Sequence, residues 1–162
     1  MITLESAPFC VLFVEVYKGF SMLYYELSAK GQSMVVGKVV SFRISCDKSL
    51  SDISGGFAVN FQEDNEDYEN IAFHFNPRAE SSKVVLNTRI RSKWIKEHIF
   101  GDNKVKSDYY INPFKLTIEV KNKEHILVSV NDKFITGYNC KLDITKVKYV
   151  CWANGVEIDR AD

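Results

Sequence analysis

Three polar side chains at two-residue spacing are the first candidates for chemistry in this sequence. His74, Asn76 and Arg78 alternate with Phe75 and Pro77. In a β-strand, positions i, i+2 and i+4 project from one face, so the three side chains share a side. They are a neutral ring that can donate or accept, an amide, and a guanidinium with donors in a fixed fork. Such directional hydrogen-bonding groups suit a ligand rich in hydroxyl groups.

A second group of residues extends this polar set. Val85 and Asn87 repeat the two-residue spacing on the next segment, and Trp94 and Glu97 follow. A pyranose can stack its C–H face on an indole while its hydroxyls bind amides, carboxylates and guanidinium groups. Galactose has an axial O4, which leaves its C–H groups clustered on one side of the ring. The residue types therefore predict a sugar site that prefers galactose to glucose.

The segments that must position these side chains read as short strands. Apolar and polar residues alternate with a period of two, which is typical of half-buried strands. The alternation covers residues 40–46, 57–61, 71–76, 116–121 and 126–130. Turn-forming residues interrupt it, Asn131 and Asp132 predict a hairpin turn, and a short helical turn is expected near 143–146. This spacing of short strands predicts an all-β sandwich or barrel.

Composition and charge exclude several classes of protein. The 162 residues fit one domain, and 21 Lys plus Arg balance 21 Asp plus Glu, so the formal net charge is zero. A binder of nucleic acid or of anionic membranes would need a basic excess. An apolar stretch of about 18 residues, the minimum for a membrane-spanning helix, does not occur. We therefore expect no nucleic-acid partner and no membrane insertion.

The cysteines, the histidines and the acidic residues supply no metal or catalytic motif. Four cysteines form no CxxC pair, which excludes a zinc finger or ribbon, and we expect them to be reduced, buried or free thiols. His98 and His125 are expected at the surface, Trp152 in the core, and 63–69 as a solvated loop. A glycosidase needs two carboxylates, and only Glu97 falls within the polar set. The sequence predicts no enzyme, no cofactor and no metal.

The ordered polar residues resemble the carbohydrate-binding signature of the galectin family. The family pattern is His-x-Asn-Pro-Arg, then Val-x-Asn, then Trp-x-x-Glu, and this chain carries all three parts in order. The resemblance extends over about residues 34–156, including the strand opening at 112–116. It implies a jelly-roll β-sandwich of two antiparallel sheets, galectin-like and concanavalin-like, that binds β-galactosides without a metal.

The resemblance also implies a role for each residue. It assigns galactose O4 to His74, Asn76 and Arg78, and O6 to Asn87 and Glu97. Glu97 would also orient Arg78 and reach the second sugar, and the ring would stack on Trp94. The whole carbohydrate-binding set is then His74, Asn76, Arg78, Val85, Asn87, Trp94 and Glu97. Taken singly, a sheet histidine, a core tryptophan or an Arg78–Glu97 ion pair would also fit a purely structural role.

Two departures from the family pattern keep a second hypothesis open. Ile99 stands where the family usually has a basic residue, and the segment 79–86 is shorter than usual. Both are compatible with a galectin-fold protein–protein interaction module in which sugar binding is weakened or altered. The main hypothesis is a lectin for lactose- or N-acetyllactosamine-type glycans on glycoproteins or glycolipids, with weak homodimerisation.

The sequence also predicts how the chain is divided and where in the cell the protein is found. Residues 1–30 match the family poorly and are expected to form an N-terminal extension or edge strand, and 31–162 the carbohydrate-recognition domain. The first charged residue is Glu5, so a positively charged signal-peptide start is missing and a cytoplasmic protein is expected. Galectins as a family are exported without a leader, so an extracellular role is compatible with this expectation.

Overall fold

The computed structural model describes residues 23–46, 56–78, 83–100, 113–152 and 156–161. Within these residues, strands and two short 3-10 helices account for the regular structure. The strands are β1 (Leu23–Glu26), β2 (Val39–Cys46), β3 (Val59–Gln62), β4 (Ile71–Arg78), β5 (Lys83–Ile90), β6 (Lys93–Trp94), β7 (His98–Phe100), β8 (Phe114–Val120), β9 (His125–Val130), β10 (Lys133–Asn139), β11 (Tyr149–Trp152) and β12 (Val156–Arg160). The 3-10 helices are Ser28–Lys30 and Ile144–Lys146.

The strands form two antiparallel sheets that confirm the predicted jelly-roll β-sandwich. The front sheet has the order β1-β11-β3-β4-β5-β6, with β7 also pairing with β5. The back sheet has the order β10-β9-β8-β2-β12. Every pair of neighbouring strands is antiparallel. The motif residues of β4, β5 and β6 therefore lie side by side at one end of the front sheet.

The core lies between the two sheets and is rich in phenylalanine. Phe42 of the back sheet packs edge-on against Phe61 of the front sheet, with ring centroids 5.4 Å apart. Phe73 continues the stack at 5.4 Å from Phe61. Burial of each such ring stabilises the fold by about 2–3 kcal/mol. This rigid aromatic layer supports β3 and β4 from beneath and leaves their polar side chains on the outer face.

Strand β4 differs from the half-buried strand that its alternation predicts. Strands β2 and β8 do alternate between buried and more exposed positions, but residues 71–77 of β4 are all buried. The polar face of β4 is covered because side chains from neighbouring strands pack over it. His74 and Asn76 are therefore buried polar groups and need hydrogen-bond partners.

Two tight hairpins have the same backbone signature. Asn131 and Asp132 have φ of 48° and 64°, which confirms the predicted turn between β9 and β10. Arg91 and Ser92 have φ of 48° and 66° and connect β5 to β6. Positive φ at both central positions is the geometry of a type I′ turn, which matches the twist of the strands it joins. The second turn escaped prediction because Arg and Ser are weak signals for it.

The structure also shows where the predicted helical turn, Trp152 and the cysteines lie. Asp143 caps the 3-10 helix at 144–146 by accepting from the Thr145 amide, as the expected turn requires. Trp152 is buried in β11. Cys140 and Cys151 are buried free thiols and Cys46 is buried, whereas Cys10 lies outside the described residues.

Burial also settles the state of two of these thiols. Desolvation raises the pKa of Cys140 and of Cys151 to about 12, so both stay protonated at neutral pH.

Across the described ranges, no helix has the length and apolar character required to cross a membrane.

Candidate functional site

The predicted residues converge on the outer face of the front sheet. Asn60 of β3, His74 of β4 and Asn87 of β5 are consecutive cross-strand partners and form one row across three strands. Directly opposed residues project to the same face of a sheet, with neighbouring strands about 4.8 Å apart. Asn76 and Arg78 follow along the same face of β4. The strand register thus brings together the groups that the spacing predicted to be neighbours.

His74 is held as a neutral ring in one tautomer. Its Nδ1 lies 2.7 Å from Asn60 Oδ1, and because a carbonyl oxygen can only accept, Nδ1 carries the proton. Burial, and then the positive charges of Arg78 and Arg89, lower the pKa of His74 to about 3. The second ring nitrogen, Nε2, is therefore a lone-pair acceptor. It is buried and has no hydrogen-bond partner.

Asn76, Arg78 and Glu97 form a chain of charge-assisted hydrogen bonds. Asn76 Nδ2 donates to the Phe57 carbonyl at 2.6 Å, and its Oδ1 accepts from Arg78 Nε at 2.7 Å. Arg78 Nη2 lies 3.3 Å from Glu97 Oε1. The side chains of Arg78 and Glu97 are 19% and 27% exposed, so the pair is reachable from solvent. Asn76 thus orients the guanidinium through its Oδ1, while its Nδ2 is held by the backbone of Phe57.

A glycine makes this chain of bonds sterically feasible. Gly56 has φ of +72°, and a Cβ at that position would clash with the Pro77 carbonyl. The close approach lets the backbone at Phe57, just before β3, reach Asn76 on the neighbouring strand β4. A side chain at Gly56 would push this backbone away from β4 and disturb the residue that orients Arg78.

Asn87 presents a single unused donor. Its Oδ1 accepts from the Thr88 amide at 2.8 Å, which fixes the orientation of the side-chain amide. Its Nδ2 is buried and has no hydrogen-bond partner. Asn87 is the direct cross-strand partner of His74. An unused donor and an unused acceptor therefore stand on adjacent strands of the same face.

Trp94 supplies the aromatic surface beside these groups. It is half-buried at the end of β6, and its ring centroid lies 4.7 Å from that of His74, with the planes tilted by 58°. The Arg89 guanidinium carbon lies 5.6 Å from the centroid of the indole. Trp94 thus lies at the sheet surface beside His74, while Trp152 belongs to the core.

Val85 and Ile99 form the apolar rim of the site. They are cross-strand partners between β5 and β7, and Val85 is also paired with Asn76. Val85 is fully buried, whereas Ile99 is 49% exposed. The departure noted at Ile99 thus places an apolar side chain where a basic one would offer donors beside Glu97.

Two residues that matter to the site were not among the predicted ones. Asn60 fixes the tautomer of His74, and Arg89 contacts Trp94. A signal existed for both: Asn60 is a polar residue on the outward face of a predicted strand, and Arg89 continues the spacing of Asn87. Their partners could not be read from the sequence because both contacts depend on strand pairing.

The arrangement can bind a neutral polyhydroxylated ring. It offers one acceptor, one amide donor, a guanidinium fork and a carboxylate beside an indole. No group of three or more His, Cys, Asp and Glu side chains in the described part of the chain is placed to hold a metal ion.

A family model for galactoside-binding lectins matches residues 25–162. Galectin-7 of the mouse, Mus musculus, is 38% identical over 66 residues, which are 41% of this chain. The match spans 46% of the length of that protein.

Solved structures of similar fold cover most of this chain. Sheep galectin-11 in complex with glycerol has a TM-score of 0.61 at 18% sequence identity. The superposition covers 88% of this chain and 97% of the galectin-11 chain. Caenorhabditis elegans galectin LEC-6 has a TM-score of 0.64 at 16% identity, covering 86% and 88% respectively. A homodimeric agglutinin from chicken liver, CG-16, gives 0.60 at 19% identity, covering 86% and 96%. At these identities the likeness shows the fold alone.

Proposed function

The chain belongs to the galectin family of galactoside-binding lectins, and on that premise we propose that its front sheet binds β-galactosides of the lactose and N-acetyllactosamine type. Lectins of this family bind carbohydrate and are non-catalytic. The finer specificity, the residues involved and the independence from metal are parts of the proposal.

The observation that carries the proposal is a pair of buried, unused polar atoms of opposite kind. His74 Nε2 can only accept and Asn87 Nδ2 can only donate, and the two residues are cross-strand partners. Leaving such a buried group without a partner costs about 1–3 kcal/mol. A sugar hydroxyl both donates and accepts, so hydroxyls of one ring can satisfy both atoms. An ionised carboxylate ligand lacks the proton that His74 Nε2 requires.

The roles follow from these donors and acceptors. His74 Nε2 accepts the proton of galactose O4, and the Arg78 fork donates to the same oxygen. Asn87 Nδ2 donates to O6, and Glu97 accepts from it. The C–H face of the ring stacks on Trp94. An equatorial O4, as in glucose, would point away from His74 and leave Nε2 unsatisfied, which sets the preference for galactose.

Sugar entry requires Trp94 to exchange one contact for another. With ring centroids 4.7 Å apart, the indole and the His74 imidazole leave no space for a sugar between them. Carbon atoms in contact are about 3.5–4 Å apart, so a ring inserted there displaces the indole outward by roughly 3 Å. The indole then loses its contact with the imidazole and gains one with the sugar.

Weak affinity and multivalency are expected consequences. A disaccharide of about 23 non-hydrogen atoms at roughly 0.3 kcal/mol each reaches at most ~7 kcal/mol, and displaced water reduces this to a Kd of ~0.1–1 mM. Glycoproteins or glycolipids carrying many galactosides would then be held through multivalent contacts, to which a weak homodimer of this chain contributes.

We propose that the protein is cytoplasmic, with leaderless secretion as its route to such glycans.

Isothermal titration with lactose tests the proposal. The wild type should bind with the Kd given above, and sucrose should produce no heat of binding. Arg78→Ala should abolish binding, whereas Arg43→Ala, an exposed arginine on the back sheet, should leave it unchanged. Binding should persist in EDTA. Absence of lactose binding at tens of millimolar would overturn the proposal and favour the protein–protein interaction module.

A further inference from the structure

Arg89 is a buried arginine that none of the sugar contacts proposed above employs. It lies on β5 two residues after Asn87 and is the cross-strand partner of Trp94 on β6. Only 9% of it is exposed. Its guanidinium carbon lies 5.6 Å from the indole centroid of Trp94. A buried cation beside an aromatic face is a favourable contact because the ring quadrupole attracts the charge.

The loop between β3 and β4 holds this guanidinium in place. Arg89 Nη1 donates to the Tyr68 carbonyl at 2.9 Å. Burial lowers the pKa of Arg89, and the nearby carboxylates of Glu69 and Asp67 oppose that shift. The acidic segment predicted to be a solvated loop therefore supplies counter-charge to a buried arginine.

The same loop also holds the hairpin that carries Trp94. The Ser92 amide donates to the Glu69 carbonyl at 2.9 Å, and the Arg91 amide donates to Asn70 Oδ1 at 3.1 Å. Strand β6 has only two residues, so its own pairing with β5 is limited. The position of the indole consequently depends on Arg89 and on these loop contacts.

We propose that Arg89 is a positioning residue that sets the orientation of the Trp94 indole against which galactose stacks. In this structure the contact between Arg89 and Trp94, together with the loop contacts, sets the tilt of the indole that faces an incoming sugar. Lysine cannot replace it fully, because an ammonium group lacks the planar fork that stacks on the indole and donates to the loop. The part of this inference that concerns affinity rests on the proposed function, but the positioning of the indole does not.

Fluorine NMR of protein labelled with fluorotryptophan tests the positioning directly. The chain has two tryptophans, so Trp94 gives one resonance, assigned by Trp94→Phe, and Trp152 gives an internal reference for the fold. Arg89→Met should shift and broaden the Trp94 resonance in the absence of sugar and leave that of Trp152 in place. Arg89→Lys should give a smaller shift of the same sign. The exposed Arg91→Met, on the same hairpin, is the matched control and should change neither resonance.

Lactose titration of the same variants tests the consequence for binding. A cation–π contact of about 0.5–2 kcal/mol corresponds to a roughly 2- to 30-fold change in Kd, so Arg89→Met should weaken binding by that factor and Arg89→Lys by less. If Arg89→Met displaces the Trp152 resonance as well, Arg89→Lys decides. It keeps the positive charge and removes the planar guanidinium, and it should still shift the Trp94 resonance while leaving that of Trp152 in place.

Two results would overturn the inference. One is a Trp94 resonance that stays in place in Arg89→Met. The other is an unchanged lactose Kd in Arg89→Met when the wild type binds. A wild type that fails to bind lactose would refute the proposed function alone, because the fluorine shifts still report whether Arg89 positions Trp94.

Discussion

Acidification should destabilise this protein through His74 before it affects sugar binding. The ordinary pKa of histidine is about 6.5, and burial together with two arginine charges lowers that of His74 to about 3. Between these values the unfolded chain binds a proton that the folded protein excludes. The free energy of unfolding is therefore at its full value above pH 6.5 and decreases as the pH falls towards 3.

The magnitude follows from the two pKa values. At pH 4.5 the protonated form of His74 exceeds the neutral form about a hundredfold in the unfolded chain. In the folded protein His74 is still neutral at this pH. Relative to pH 7, this protonation costs about 2–3 kcal/mol of stability. Carboxylates also titrate in this range, so a reference that lacks the imidazole is needed. His74→Gln removes the titrating group and places an uncharged amide of similar length at the position.

Urea denaturation of both proteins at pH 7, 5.5 and 4.5 is the appropriate assay. The wild type should lose about 2–3 kcal/mol more than His74→Gln over this interval, whichever of the two is more stable at pH 7. Lactose affinity of the folded wild type should stay constant between pH 7 and 5, because Nε2 remains an acceptor. Parallel stability profiles, or lactose affinity that declines with a midpoint near 6.5, would refute the neutral buried imidazole.

Three further substitutions test separate parts of the structure. Arg78→Lys should weaken lactose binding about tenfold or more in titrations while the melting temperature changes little, because a single ammonium cannot bridge Asn76 and Glu97 as the fork does. Thr88→Val should lower the free energy of unfolding by about 1–3 kcal/mol in urea, since its buried hydroxyl is bonded within the core; a neutral effect would show that this network adds nothing. Ile99→Arg should tighten lactose binding a few-fold without altering binding of galactose alone, and equal gains for both sugars would contradict a contact with the second ring.

The sequence predicted much of this site because β-structure has a simple period. Two-residue spacing places His74, Asn76 and Arg78 on one face of any strand, and the pairing of β4 with β5 then brings Asn87 beside them. Because the indole projects from a two-residue strand, the position of Trp94 could be anticipated only through the family resemblance.

Other properties of the site depend on contacts between distant parts of the chain. The tautomer of His74 is set by Asn60, fourteen residues away, through a pairing that the alternation pattern leaves undetermined. The burial of the polar face of β4, and the role of Arg89, arise from side chains packed over the sheet. Predictions for residues 1–22 and for 79–82 of the short segment fall outside the described residues. The division of the chain at residue 30 stays a prediction.

The unused polar atoms of His74 and Asn87 link the survival of this protein to its ligand. Lactose can bind only the folded chain, because the site exists only while β4 and β5 are paired, so the occupied fold opens less readily than the empty one. Lactose at about a hundred times its Kd would raise the free energy of unfolding by about 3 kcal/mol. Proteases that cut only opened chains would then degrade the free lectin roughly a hundredfold faster than the bound one. Glycan supply would thereby regulate how long each molecule persists.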